Sequence, residues 1–254
     1  MDKHYLERRY LLSFDSRRIR HVFTDVLIIG AGAAGLRAAI EAAKNARVVI
    51  LTKANPTKSN TYLAQGGIAA VMNPSDTIEA HVSDTLACAA GLGDEQVIRQ
   101  VVGQAPGTIE ELISYGLEVD RHADGKIALG REGGHSSNRI VHAHGDATGK
   151  YLVETLLALA KENENITIFE NCFAVDLLSD ENSTGKPGTI VGAITFHERY
   201  GVQMIWARQT ILAGGGAGML WRETTNPPPA TADGIAMAFR AGAELAEMEM
   251  MQFH

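Results

Sequence analysis

The run "VLIIGAGAAGLRAAI", residues 26–40, constrains the chain more than any other feature. A short β-rich apolar segment, residues 25–30, meets an alanine-rich segment with helical character, residues 33–45, and a second apolar run, residues 46–52, follows. Together they predict one βαβ unit. The junction reads Gly30-Ala31-Gly32-Ala33-Ala34-Gly35. In this context each glycine has a mechanical reason: Gly30 permits the tight turn, Gly32 lets a pyrophosphate approach the backbone, and Gly35 allows the helix to pack closely on the strand. The helix N-terminus adds unpaired N–H groups and the positive end of a dipole. A glycine turn that merely packs is the bland alternative, and the strand-to-helix position argues against it.

The second strand ends "ILTK". Nucleotide-binding βαβ units usually carry Asp or Glu there to accept from ribose hydroxyls, so Thr52 and Lys53 weaken a simple nicotinamide nucleotide reading. Attention moves to "TKSNTYLAQGGIAA", residues 57–70. If a flavin extends beyond the βαβ unit, Ser, Thr and Gln side chains and the N–H groups of paired glycines suit its ribityl chain and ring edge. An exposed loop is the competing reading.

Composition narrows the classes further. A chain of 254 residues can bury a substantial core in one or two domains. Its net charge of −7 argues against nonspecific nucleic-acid binding, which needs a surplus of Lys and Arg. The run of about 18 apolar residues that a spanning helix needs is not found in the sequence. Cys88 and Cys172 form no CxxC pair, so neither a disulfide framework nor a zinc site is expected, and a reducing cytoplasm fits. The charged N-terminal stretch lacks the apolar core of a secretory signal. His135, His142 and His144 lie near one another in sequence, but no Cys or carboxylate at ligand spacing completes a metal set, so structural or substrate-facing roles are expected.

Residues 1–22 read as an N-terminal arm or edge element. The stretch "DEQVIRQVVGQAPGTIEELISYG" reads as two helices hinged near residues 103–107, and an amphipathic helix starts near Thr148. Strands are expected at 166–170 and at Cys172–Ser179. With "TIVGAITFHE" and "VQMIWAR" the latter should form an antiparallel meander, "QTILAGGG" should return to the parallel sheet, and residues 231–245 should form a last helix.

These motifs, followed in order by "LGREGGHSSNRIVHAHGDATG", "ILAGGGAG", "TTNPPPATADGIAMAFRAGA" and "EMMQFH", resemble the FAD-binding part of the succinate dehydrogenase/fumarate reductase flavoprotein family over residues 24–254. The resemblance implies a three-layer α/β, Rossmann-like FAD-binding domain with a central parallel sheet and a small antiparallel β-meander. It implies that residues 23–254 are the first segment of that domain, truncated where a capping domain begins. Cofactor contacts would come from Gly30, Ala31, Gly32, Ala33, Ala34 and Gly35, from Thr52 and Lys53, and from Ser59, Asn60, Thr61, Tyr62, Leu63, Ala64, Gln65, Gly66 and Gly67. Ala174 would read the adenine through its backbone, Gly214 and Gly215 would lie beside the dinucleotide, and Asp233 would contact the flavin, an ordinary N-cap being its alternative reading.

Two positions separate branches of the family. Asn60 stands where covalent flavoproteins of the family carry the flavin-linked His, which implies noncovalent FAD. Glu132 stands where the dehydrogenases carry an aromatic residue, and a carboxylate suits an α-ammonium; a solvated loop carboxylate is its alternative reading. His254 would help hold a dicarboxylate. The implied activity is FAD-dependent oxidation of L-aspartate to iminoaspartate with dioxygen or fumarate as acceptor, in NAD biosynthesis, with L-aspartate or another C4-dicarboxylate bound and quinolinate synthase as a partner. Because the family's proton-transferring Arg lies in the capping domain, this chain is expected to bind FAD weakly and turn over little. A soluble fumarate reductase or succinate dehydrogenase-like flavoprotein and a noncatalytic FAD-binding module are the alternatives.

Overall fold

The computed structural model describes residues 10–180 and 188–251. Along the chain run β1 (Arg20–Ile29), α1 (Ala33–Ala42), β2 (Val48–Leu51), α2 (Asn60–Leu63), β3 (Ile68–Ala69), α3 (Ile78–Ala89) and α4 (Glu95–Ser114). There follow β4 (Leu129–Gly130), β5 (Ile140–Val141), α5 (Thr148–Glu162), β6 (Ile166–Phe169), β7 (Cys172–Ser179), β8 (Ile190–His197), β9 (Gly201–Leu212) and α6 (Asp233–Arg240). The chain forms two units, Met1–Asn60 with Leu156–His254, and Thr61–Thr155.

The first unit is built on a six-stranded sheet in the order β6-β2-β1-β9-β8-β7. The strands β6, β2, β1 and β9 are mutually parallel, and β8 and β7 continue the sheet antiparallel. All four residues of β2 are buried, as a parallel strand covered on both faces requires. The core joins Leu27 and Ile29 of β1, Val49 and Leu51 of β2, Leu177 of β7, Ile205 of β9 and Met237 of α6. The expected α/β architecture is therefore present, with two corrections. "VQMIWAR" and "QTILAGGG" are one strand: β9 runs unbroken from Gly201 to Leu212, pairing with β8 through its first half and with β1 from Arg20↔Gln203 to Ile29↔Leu212. No turn residue separates Arg208 from Gln209, so the meander is continuous with the parallel strands. For the same reason β1 begins at Arg20, inside the segment expected to be an arm or edge element, because β9 offers ladder partners there. Ahead of it, Tyr10, Phe14 and Ile19 pack against Val175, Leu178, Ile194 and Met204.

α6 is shorter than expected. The Gly242 N–H donates to the Phe239 carbonyl and the Ala243 N–H to the Ala238 carbonyl, with Gly242 at φ +89°, which is a Schellman stop.

The second unit packs α3 and α4 with a three-stranded antiparallel sheet, β3-β5-β4, that the sequence alone does not single out. Its core includes Ala70, Ile109 and Val141. The expected pair of hinged helices is one helix, α4, which runs through Pro106. Asp94 caps its start by accepting from the N–H groups of Gln96 and Val97, and Val102, Ile109 and Leu112 form one buried stripe. An interior proline costs about 3 kcal/mol; burying three such side chains contributes roughly 1.5–3 kcal/mol each, so burial outweighs the break. Among the described residues no helix is long and apolar enough to cross a membrane.

Candidate functional site

In the first unit, β1 delivers Gly30 to the turn at φ +118°, where an added Cβ would lie 2.1 Å from the Ala213 carbonyl oxygen. A Cβ on Gly35 would lie 2.0 Å from the Gly30 carbonyl oxygen. Both obstacles are backbone, so neither position admits a side chain. The Gly30 N–H donates to the Leu51 carbonyl and the Ala213 N–H to the Ile29 carbonyl, each at 2.8 Å, which locks the turn between β2 and the end of β9. Gly32 is the N-cap of α1 in extended geometry and supplies no side-chain cap. Ala31 is buried, and Ala33 and Ala34 form the first turn of α1. Gly214 and Gly215 follow β9 after Ala213, Gly215 at φ +76°. A side-chain-free turn leading into a helix N-terminus fits a dinucleotide pyrophosphate.

At the end of β2, the Thr52 hydroxyl donates to the Ala54 carbonyl at 2.6 Å. The Lys53 ammonium pairs with the Asp233 carboxylate and donates to Thr231 Oγ1, and Thr231 Oγ1 donates in turn to Asp233 at 3.0 Å. Asp233 is thus no N-cap: Ala232 holds that position at φ +62°, without a side-chain bond, and Asp233 is the first residue of the helix. A carboxylate from the first turn of α6 thus stands beside the end of β2, a strand end that carries no acid of its own. Ala174 is buried in β7 at a register step between Ala174 and Asp176. Ser59 ends a 3-10 turn that Asn55 caps by accepting from the Thr57 N–H, and Asn60 opens α2.

In the second unit Thr61, Tyr62 and Leu63 complete α2, and Leu63, Ala64, Gln65 and Gly66 are exposed in sequence before Gly67 turns into β3. The Ala64 carbonyl accepts from the Gly149 N–H at 3.0 Å, and Tyr62 donates to Glu154 at 3.3 Å. Glu132 lies in the exposed loop between β4 and β5, and its carboxylate makes no hydrogen bond or ion pair among the described residues. His254 lies outside the described residues.

The three histidines diverge. His142 is half-buried beside Gly67 and Gly130. His144 stacks on Tyr151 with ring centroids 3.7 Å apart. His135 places Nδ1 3.2 Å from Arg139. Among the described residues no group of three or more His, Cys, Asp or Glu is arranged to hold a metal.

The sequence alone does not single out Arg139, the largest wholly buried side chain among the described residues. Asp76 accepts two hydrogen bonds from its guanidinium, each 2.8 Å, and Asp84 accepts a third. The Arg139 hydrogen bonds hold the Asp76 carboxyl below the usual carboxylate range, while the Ser136 backbone, the Ser136 hydroxyl and then Arg139 hold Asp84 far below it. Beside them His81 is buried, its ring edge-on to His135 at 5.4 Å. Burial, and next the Arg139 charge, push its pKa down. A visible trace existed: His81, Asp84 and Cys88 are spaced by three and four residues, one face of a helix.

A glycine turn closed to side chains, on a parallel α/β sheet with a lysine-held carboxylate beside it, defines a dinucleotide-binding flavoprotein domain. The chain belongs to the FAD binding domain family, which it matches over residues 25–254, and FAD is its cofactor. It is 43% identical over 232 residues to the chloroplastic L-aspartate oxidase of Oryza sativa subsp. japonica, covering 91% of this chain and 36% of that protein. It is 42% identical over 236 residues to the L-aspartate oxidase of Vibrio cholerae serotype O1, covering 91% of this chain and 44% of that protein. Among solved structures it resembles FrdA of the E. coli quinol fumarate reductase, with a TM-score of 0.80 and 32% identity over 87% of this chain and 37% of that one. The chain therefore spans less than half the length of these relatives.

Proposed function

We propose that the chain is the FAD-binding part of an enzyme that oxidises L-aspartate to iminoaspartate. The observation that carries this reading is Glu132: an exposed carboxylate without a partner among the described residues, in a chain 42% and 43% identical to proteins named L-aspartate oxidase. An α-ammonium is the cation that such a group would bind, and succinate, with both carboxylates and no ammonium, gains nothing from it.

The residues divide by task. The Gly30–Gly35 turn and the α1 N-terminus take the pyrophosphate, with Gly214 and Gly215 alongside and the Ala174 backbone toward the adenine. Lys53 serves the region of the missing ribose acid, and Asp233 together with Ser59, Asn60, Thr61, Tyr62, Leu63, Ala64, Gln65, Gly66 and Gly67 serves the flavin end. Bound FAD supplies the two-electron oxidation of the substrate Cα–H. Glu132 orients that bond by fixing the ammonium, and His254 helps hold a carboxylate. Asn60 cannot form the covalent link a histidine forms, so the flavin is held noncovalently. Dioxygen or fumarate accepts the electrons, and iminoaspartate passes to quinolinate synthase in NAD biosynthesis. Cys88 and Cys172 are free thiols, which supports a reducing compartment such as the cytoplasm.

The test is anaerobic addition of L-aspartate, then of succinate, to the FAD-loaded protein containing this chain. Aspartate should bleach the flavin absorbance and succinate should not, and denaturation should release the flavin. Likeness to a fumarate reductase favours a second reading, a fumarate reductase or succinate dehydrogenase-like flavoprotein; bleaching by succinate alone would establish it instead. FAD binding without bleaching by either would leave a noncatalytic binding module.

A further inference from the structure

The loop that carries Glu132, residues 131–138, lies on α3 along one helical face. His81 meets His135 edge-on, and Asp84 Oδ2 accepts from the Ser136 N–H and the Ser136 hydroxyl, each at 2.8 Å. One turn further, Cys88 Sγ lies 4.0 Å from the Gly134 carbonyl oxygen. Three residues at helical spacing thus face Gly134, His135 and Ser136, while Gly134 turns the chain at φ +82° two residues after Glu132. The His135 N–H then donates to the Glu132 carbonyl at 3.3 Å, closing the turn on which the carboxylate sits.

Asp84 is the centre of this seam. Its Oδ2 also accepts from Arg139 Nη1 at 2.5 Å, and Arg139 is held from behind by the two-point contact with Asp76. A buried ionic cluster is an expensive way to attach a loop, since well-packed apolar groups hold as firmly or better. What directional bonds add is a defined position and orientation for the backbone they hold.

We infer that Asp84, acting through Ser136 and backed by Arg139, is a positioning residue that sets where Glu132 stands and so makes the site discriminate an ammonium-bearing dicarboxylate from one without it. This rests on the reading of Glu132 given above. In this role Asp84 acts through the loop, by its hydrogen bonds to Ser136.

A double-mutant cycle on the FAD-loaded protein separates this role from simple structural support. With Glu132 present, Asp84→Asn should raise the KM for aspartate about tenfold, leave the inhibition constant of succinate within about twofold, and leave FAD affinity unchanged. In a Glu132→Gln background the same change should do nothing further. Ser136→Ala, which removes one of the three bonds without touching the buried cluster, should shift aspartate in the same direction by a smaller factor and covers the case in which Asp84→Asn does not fold. Amide hydrogen exchange at residues 133–137 should speed up at least tenfold in Asp84→Asn. Equal loss for aspartate and succinate, persistence of the full effect without Glu132, or unchanged exchange in the loop would each overturn the inference. If the unmutated protein shows no preference for aspartate, the functional reading has failed, and hydrogen exchange alone still decides whether Asp84 fixes the loop.

Discussion

Lys53 at the end of β2 and Asp233 in the first turn of α6 form an ion pair across 180 residues of sequence, with Thr231 bridging them. The pair is about one-quarter exposed on each side, so its direct contribution to stability is small, of order 0–1 kcal/mol. In the proposed FAD site the pair serves the cofactor. Lys53→Ala should therefore weaken FAD binding by roughly tenfold, a loss of the size expected for one charge-assisted contact, while moving the melting temperature little. Fluorescence titration with FAD and a thermal melt of the same sample check both halves.

The Gly30 turn makes a harsher prediction. Gly30→Ala and Gly35→Ala each drive a Cβ to about 2 Å from a backbone oxygen, which no side-chain rotation relieves. Both variants should lose FAD binding outright, and Gly30→Ala, which also carries φ +118°, should be the less soluble. Binding at wild-type affinity by either would contradict the geometry.

Glu132→Gln keeps shape and removes charge. Aspartate should bind roughly 10- to 100-fold more weakly, as expected for a lost charge-assisted hydrogen bond, and succinate should be unaffected. Substrate titrations against the flavin spectrum measure the ratio.

Removing the Arg139 guanidinium strands the Asp76 carboxylate, whose side chain is 1% exposed. Arg139→Met should destabilise by about 3–5 kcal/mol. Arg139→Met with Asp76→Leu should regain much of that, because it leaves no unpaired carboxylate at position 76 and Asp84, which is partly exposed, keeps its two hydrogen bonds from Ser136. Urea denaturation of the three proteins gives the comparison.

His81 makes stability depend on mild acid. Burial, then the charges of Arg139 and His135, oppose its protonation in the fold, outweighing Asp76 and Asp84. Its folded pKa thus lies below the unfolded value of about 6.5. The unfolded chain takes up the proton first, so the stability His81 contributes is complete above about pH 6.5 and declines below it, levelling once the folded imidazole also protonates. Asp76 and Asp84 act lower: their folded pKa values are depressed, so their contribution is present above the ordinary carboxylate range and is lost as pH falls through the depressed values. Denaturation midpoints at pH 7.5 and 5.5 should differ less in His81→Gln than in the unmutated protein.

What could be read from the sequence was what depends on neighbours. The turn from β1 through Gly30, Gly32 and Gly35 into α1 is local chemistry, and it stands as expected. The α4 helix was legible in its apolar spacing, but Gly103, Pro106 and Gly107 argue for a hinge that only the burial of Val102, Ile109 and Leu112 overrules. β9 reads as two strands because the polar pair Arg208 and Gln209 interrupts its pattern. The network behind Glu132 joins Arg139 to carboxylates 63 and 55 residues earlier, and no local signal pairs charges over such a span. Glu132 itself stood out through family resemblance; that it has no partner among the described residues is visible only in three dimensions.

The pairing of β1 with β9 has a consequence for how the protein is made. β1 emerges from the ribosome well before the strand that covers one of its edges: from Arg20↔Gln203 to Ile29↔Leu212 each partner lies 183 residues further along the chain. At about 5–20 residues per second the wait is on the order of ten to forty seconds. Throughout it the apolar run Val26–Ile29 offers an open hydrogen-bonding edge to any other nascent chain. Slow translation between β2 and β9 should therefore lower the soluble yield even though the finished sheet leaves that edge covered.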